Sequence, residues 1–266
     1  MKPYPFLFSI ALKIFKIISA LIPNANLRRN ARNLPFIISR HICQISKQNL
    51  IKADIFISIG DACKPALHLR EYGLRKLSSP LDWMYNYSLD EAHRCFCVEF
   101  GDFFEKCYDS GKAEGKERNV ISISNDEMIS IHAFPKNVAL DEYLPTFRAK
   151  MQRRFQKIKA KIMDSQTIAL VISRNDSVDK IADFGCKMQI LFKNWGGEFC
   201  KKSLIIINIC HKDDFAKNRV ERKIHKICDG LCIVEFFCND TSINDKRPHL
   251  GNTLAWHKIM CQMAIK

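Results

Sequence analysis

The chain has 266 residues, of which 47% are hydrophobic and 26% charged, ordinary proportions for one large folded domain with or without appendages. With only 10 Gly and 9 Pro it is neither collagen-like nor of low complexity, and with no apolar run of spanning length it is no polytopic membrane protein. Lys+Arg 42 against Asp+Glu 28 gives a net charge of +14, which favours acidic partners such as anionic lipid, nucleic acid or a phosphorylated or carboxylated substrate.

Residues 5–22, PFLFSIALKIFKIISALI, place Ser9, Lys13, Lys16 and Ala20 on one narrow polar stripe, with Leu, Ile and Phe elsewhere. This predicts an amphipathic helix stopped by Pro23-Asn24 and followed by Arg28, Arg29 and Arg32. Such a composition suits an anionic membrane surface, and equally suits packing on the chain's own domain. Two lysines inside the apolar region argue against a signal peptide. The expected organisation is an amphipathic, basic segment over residues 1–33 and a single α/β domain over 50–266.

Ala53–Ile59 is the first strong strand. It runs into Gly60-Asp61-Ala62-Cys63, then a helix to about Tyr72 with Gly73 as its C-cap. Ser88-Leu89-Asp90-Glu91 is a capping box opening a helix near 89–100. Polar Asp109–Arg118 reads as a loop. Val120–Ser124 and Met128–Ala133 read as a hairpin, and Leu140–Met163 as a long basic helix. Beyond it the pattern alternates. Strands are expected at Thr167–Ile172, Leu204–Cys210 and Leu231–Phe237, and helices at Val178–Asn194, Asp214–Cys228 and Asn252–Met263. Apolar runs such as IALVI and LIIINI suit strands buried on both faces. The fold class expected is therefore α/β: three layers around a mostly parallel sheet, with an inserted β-hairpin and an N-terminal amphipathic helix.

The 12 cysteines sit mostly in apolar runs (Cys210, Cys228, Cys232, Cys238), where a thiol acts as a small hydrophobe. With no convincing secretory signal, this predicts free thiols in a reducing cytoplasm. The tight pairs Cys95-x-Cys97 and Cys228-x3-Cys232 lack zinc spacing, so no metal and no cofactor is expected. No nucleic-acid-binding module is recognised, and nucleic acid is not expected as a partner.

In an open α/β sheet, ligands gather at the carboxyl ends of strands. There the sequence delivers Gly60, Asp61 and Cys63, then Ser173–Asp176 with Arg174, then Cys210–Asp213 with His211, and finally Cys238–Asp240. Cys63 stands apart because it joins a strand, a Gly turn and a helix N-terminus, where a thiolate and an oxyanion are both favoured. It is the candidate nucleophile. Its base should be a histidine. His132, ending MISIHAF, and His211, ending a buried strand, are equally eligible by position. His68 points away along the helix. Arg174 could hold an anionic substrate group bidentately or serve as a structural ion-pair partner.

The stretch from Ile57 to Trp83 resembles the opening signature of a bacterial family described as putative papain-like cysteine peptidases (domain of unknown function 1796). The residues that carry the likeness are Ser58, Gly60, Cys63, Arg70, Gly73, Leu74, Arg75, Ser79, Pro80, Asp82 and Trp83. Leu81 stands where that family has Phe. His132-Ala133-Phe134, Arg153-Arg154-Phe155 and Gly251-Asn252 through Trp256 resemble later, weaker segments. The resemblance implies Cys63 as nucleophile and His132 as base, and Asp82 is a candidate for orienting or shaping the site. It also implies an α+β papain-like alternative for the fold. The Gly60–Cys63 turn is similar, more weakly, to the turn of SGNH-type esterases. Residues 21–33, LIPNANLRRNARN, resemble a segment of bacterial surface-glycan glycosyltransferases, which implies a setting at the inner membrane. The expected function is a cysteine-nucleophile hydrolase or acyltransferase acting on a peptide, ester or glycan substrate. The alternatives are a glycan-assembly transferase for an anionic or nucleotide-linked sugar, and a non-catalytic membrane-associated binding protein.

Overall fold

The computed structural model describes the chain except for residues 1–12, 16, 46–49, 61–62, 197–201 and 243–247. Its centre is a five-stranded sheet built from β2 (Ile55–Ser58), β7 (Thr167–Ile172), β8 (Ser203–His211), β9 (Val220–Cys228) and β10 (Leu231–Cys238), in the order β2-β7-β8-β10-β9. The first four strands run parallel and β9 closes one edge antiparallel to β10. This is a mixed α/β fold.

Strand alternation divides the core between the two faces of this sheet. Ile55, Ile57, Ile168, Leu170, Leu204 and Ile206 face one cluster, under α3 (Leu89–Cys97), α4 (Leu140–Met163) and α5 (Val178–Trp195). Phe56, Ala169, Val171, Ile207, Ile209 and Phe236 face the other, under α2 (Lys64–Glu71) and α6 (Thr253–Met260). Fully burying each large apolar side chain stabilises by about 1.5–3 kcal/mol, so both faces must be covered.

A second sheet, of order β3-β6-β5-β4, is antiparallel and comprises β3 (Met84–Tyr85), β4 (Cys107–Glu114), β5 (Glu117–Ser122) and β6 (Met128–Pro135). The expected hairpin is its β5–β6 pair. The stretch 109–118, expected as a loop, is instead mostly strand, turning at Gly115 with a φ of +60°. A short third sheet pairs β1 (Ile51–Ala53) with β11 (Met263–Ile265).

The expected strand 53–59 divides at Asp54, whose carboxylate accepts from the Gln166 and Thr167 amides. Ser88 caps α3 as expected, accepting from the Glu91 amide, but that helix ends at Cys97. Asn252 caps α6 through its side chain.

The largest correction is residues 214–228, expected as a helix. Val220–Cys228 is the edge strand β9, and Asp229-Gly230 turns it into β10. Glu221, Arg222, Lys223 and Lys226 suggest a helix by propensity, but on an edge strand such charges guard an unpaired rim.

Residues 13–15 and 17–20 are helical, and the rest of the expected stretch 5–22 lies largely outside the described residues. The chain turns at Pro23-Asn24 into a helix the sequence reading did not anticipate, α1 (Ala25–Ile45), which runs through residue 33. Arg28 and Arg32 serve this corner. Arg28 donates to the Ile22 and Pro23 carbonyls, and Arg32 to the Ser19 hydroxyl. No helix among the described residues is long and apolar enough to cross a membrane. Eleven cysteines among the described residues are free thiols.

Candidate active site

β2 ends at Ser58 and the chain reaches α2 at Lys64, so the connection crosses the carboxyl edge of the parallel sheet. Gly60 sits there with a φ of +27°, and a Cβ added to it would lie 2.1 Å from the Tyr87 Oη and 2.9 Å from the Leu81 carbonyl oxygen. Close packing and a positive φ thus both require glycine at position 60. Asp61 lies outside the described residues.

Cys63 occupies the N-cap of α2, 5% exposed, and its carbonyl accepts from the Leu67 amide at 2.9 Å. Its thiol makes no cap hydrogen bond. Pro65 in the first turn has no N–H, which leaves the Lys64 and Ala66 amides as the helix's first donors there. Two other buried cysteines stand at the ends of β8 and β10. Burial pushes the Cys210 and Cys238 thiols up to about 12.

A cleft opens along the same sheet edge, lined by Lys64, Ser173, Arg174, Asn175, His211 and Asp240 among others. Lys64 reaches Asp240 at 2.6 Å, Arg174 Nε donates to Asp176 at 2.6 Å, and His211 Nε2 meets Asp213 at 2.8 Å. Each of these three basic groups already faces a carboxylate. Arg174 Nη1 also donates to the Tyr87 carbonyl, fastening the segment before α3 onto the sheet. Its side chain therefore has a structural task as well as a place in the cleft.

His211 is poorly arranged as a base. Its Nδ1 accepts from the Asp240 amide at 2.9 Å, which fixes the proton on Nε2 and directs it at Asp213. The lone pair a base needs is already occupied.

His132 lies on β6, 38% exposed, with Nδ1 3.5 Å from Glu117 Oε2. The Trp83 ring meets it edge-on, with centroids 6.4 Å apart. The pairing of β3 with β6, Met84 opposite Ser130, brings Trp83 alongside. Arg70 and Arg75 stack over the same indole. A carboxylate at Nδ1 with Nε2 left for a reacting group is the arrangement a general base uses.

Asp82 is fully buried. Its Oδ2 accepts from Arg75 Nη1 at 2.6 Å and from the Ser79 amide at 3.0 Å. Burial raises its carboxyl to about 6, against the pull of Arg75. Asp82 makes no hydrogen bond to His132; it ties the Ser78–Trp83 loop to Arg75. The carboxylate at His132 is instead Glu117, which begins β5 in the stretch expected as a loop. His68, set aside in the sequence, is buried against Trp256 and bonded to the Leu250 carbonyl oxygen. Burial lowers its pKa to about 4.

No hydrogen bond joins Cys63 to His132 among the described residues. Cys63 opens α2, whereas His132 meets the Trp83 ring, over which Arg70 lies near the other end of that helix.

Residues 54–177 match the family described as putative papain-like cysteine peptidase (DUF1796). The match spans a little under half of the chain and takes in Gly60, Cys63, Asp82, His132 and Arg174. His211 and Asp240 lie beyond it. No curated protein and no solved structure matches the chain.

Proposed function

We propose that this chain is a cysteine-nucleophile hydrolase of the papain-like peptidase type, with Cys63 as nucleophile and His132 as base. The carrying observation is the placement of Cys63 at the junction of β2 and α2, on the ligand-gathering edge of a parallel sheet. The family match includes both residues. His132 rather than His211 is the base because only His132 keeps a ring nitrogen clear of the hydrogen bonds described above.

The thiol proton passes to His132 as Cys63 Sγ attacks an acyl carbon, and the Lys64 and Ala66 amides oppose the developing oxyanion. His132 returns the proton to the leaving amine or alcohol. Water then cleaves the thioester, or an acceptor takes the acyl group if the chain is a transferase. The step requires hydrogen-bond reach between Cys63 Sγ and His132, about 3 Å directly or bridged by one water, so substrate binding must bring the His132 segment toward the start of α2. An anionic sugar donor finds less support, since Lys64, Arg174 and His211 are each matched by a carboxylate.

The test is iodoacetamide labelling near neutral pH, read by peptide mass spectrometry. Cys63 is expected to react first while Cys210 and Cys238 stay unmodified. His132→Ala should slow Cys63 labelling at least tenfold, and His211→Ala should leave it within twofold. A Cys63 as inert as Cys210 would sink the proposal.

We further propose that the N-terminal part rests on an anionic membrane surface. Ile14, Ile17, Ile18 and Leu21 are exposed, as are Leu27, Leu34, Ile38 and Ile42 of α1. This apolar surface on a basic chain supports the reading. Co-sedimentation with phosphatidylglycerol vesicles that weakens in Ile17→Glu/Ile38→Glu, and is absent with phosphatidylcholine vesicles, checks it. Equal sedimentation of the variant overturns it.

A further inference from the structure

At the far end of α2 from Cys63, three soft ligands from opposite ends of the chain converge. Cys43 comes from α1, while His257 and Cys261 stand one turn apart at the end of α6. Their ligand atoms all lie within 4.8 Å of one another. His257 Nε2 is 3.9 Å from Cys43 Sγ and 3.7 Å from Cys261 Sγ. A metal held at about 2.3 Å from sulfur and about 2.0 Å from nitrogen, at a tetrahedral angle, sets those atoms about 3.5 Å apart. The cluster is therefore close to coordination spacing.

Two neighbours complete the arrangement. Tyr72, 2% exposed, has its hydroxyl 2.9 Å from His257 Nδ1. With a metal on Nε2 the imidazole proton would sit on Nδ1, where the Tyr72 oxygen is placed to accept it, the outer-shell support that metal-binding histidines use. Arg40, one turn before Cys43, is 5% exposed and has an electrostatic interaction with Cys261. Its Nε and Nη1 are buried without a hydrogen-bond partner. A buried guanidinium with unsatisfied donors is costly unless negative charge lies nearby, and a pair of thiolates supplies it.

We infer that Cys43, His257 and Cys261 form a metal site for a thiophilic d10 ion, Zn2+ or Cu+, which clasps α1 to α6. Thiolate and imidazole donors select such ions over Mg2+ or Ca2+. Charge separates the two candidates. Two thiolates around Cu+ leave one negative charge for Arg40 to offset, whereas around Zn2+ they leave none. Spacing rules miss the site because more than two hundred residues separate Cys43 from His257; only His257-x3-Cys261 is local. The Gln44 side chain donates to the Met263 carbonyl at 2.5 Å and already draws the same two segments together, so binding adds to an existing junction.

The test titrates the reduced full-length protein with Zn2+ against a chromogenic chelator, and anaerobically with Cu+ against a Cu+-specific chelator. One equivalent of one ion should bind, with a higher melting temperature. Cys43→Ser, Cys261→Ser and His257→Gln should each weaken binding at least tenfold and remove the thermal shift. His93→Ala/Cys97→Ser, which removes the exposed His-Cys pair of α3, should change neither. X-ray absorption of the loaded wild-type protein should show two sulfurs and one imidazole nitrogen, a readout independent of whether any variant folds. Failure to bind either ion, retention of a full equivalent in Cys43→Ser/Cys261→Ser, or a nitrogen–oxygen shell would each overturn the inference. So would a metal-free Cys43–Cys261 disulfide in protein prepared without added oxidant.

Discussion

Arg75 donates to Asp82 across 2.6 Å, and the carboxylate it meets is wholly buried. Burial nevertheless prevails, and the Asp82 carboxyl is raised to about 6. Buried His68 is displaced the other way, to about 4. A raised acid stabilises the fold fully below its unfolded pKa near 4, and that contribution is lost as pH rises through 6. A depressed histidine stabilises above about 6.5, and its contribution is lost as pH falls through 4. Each effect is on the order of 3 kcal/mol, so the two nearly cancel between pH 4 and 6. Relative to wild type, Asp82→Asn should lose stability on acidification from pH 6 to 4, and His68→Gln should gain it. Urea unfolding midpoints across that range check both. Parallel pH profiles for the two variants would contradict the assignment.

Asp240 is the junction beneath the cleft. Its Oδ1 accepts from the Asn252 amide at 3.0 Å and from Trp256 Nε1 at 2.8 Å, while Oδ2 takes Lys64. Asp240→Ala strands a partly buried ammonium and a buried indole N–H and should cost about 3–5 kcal/mol. Asp240→Asn keeps an oxygen for Trp256 and Asn252 and should cost less than half as much. Gly251→Ala attacks the same point from outside, since its Cβ would lie 2.2 Å from Asp240 Oδ1 at a φ of +61°. Equilibrium unfolding followed by tryptophan fluorescence ranks the three. An Asn variant as damaged as the Ala variant would show that charge, not hydrogen bonding, governs the junction.

Lys202 is 2% exposed, and its ammonium donates to the carbonyls of Ile162, Met163 and Ser165 at 3.0, 2.9 and 3.0 Å. It is a buried cation closing the C-terminus of α4, where carbonyls lack helical partners and the helix dipole favours positive charge. Lys202→Met keeps the stem and removes the charge. It should destabilise by about 2–4 kcal/mol, because three carbonyl acceptors, two of them in buried hydrogen bonds, lose their donor. A loss below about 0.5 kcal/mol in chemical denaturation would mean that water replaces the ammonium.

The elements legible in the sequence are those whose local signal and tertiary environment agree. Thr167–Ile172 is apolar throughout and buried on both faces; Leu140–Met163 has helical periodicity and two acidic residues in its first turn. β9 was hidden because Glu221, Arg222 and Lys223 favour helix locally, and only its pairing with β10 makes it a strand. The Asp229-Gly230 dipeptide was the available clue, since Gly230 takes a φ of +73°. α1 was hidden by Pro23, by Pro35 within it, and by arginines read as a basic flank. At the candidate site, Cys63 was legible because strand, glycine turn and helix start are local features. The occupied lone pair of His211 was not, since it depends on the Asp240 amide beyond the end of β10, and the pairing of Glu117 with His132 was not, since β5 begins inside a polar stretch that lacks a strand pattern.

Gly60 tests whether the approach to Cys63 depends on close packing. The Tyr87 hydroxyl and the Leu81 carbonyl leave no room for a Cβ, and a φ of +27° strains any other residue. Gly60→Ala must therefore displace Tyr87 or shift the connection that delivers Cys63. The expected result is a loss of about 1–3 kcal/mol in stability and at least a tenfold fall in selective Cys63 labelling. Tyr87→Phe removes the atom 2.1 Å from the added methyl group but leaves the Leu81 contact and the backbone strain. The double variant Gly60→Ala/Tyr87→Phe should therefore recover part of both losses. Labelling kinetics and urea unfolding of the single and double variants give the coupling. Independent, additive effects would show that Tyr87 does not set the position of Gly60, and that the glycine is needed for its backbone angle alone.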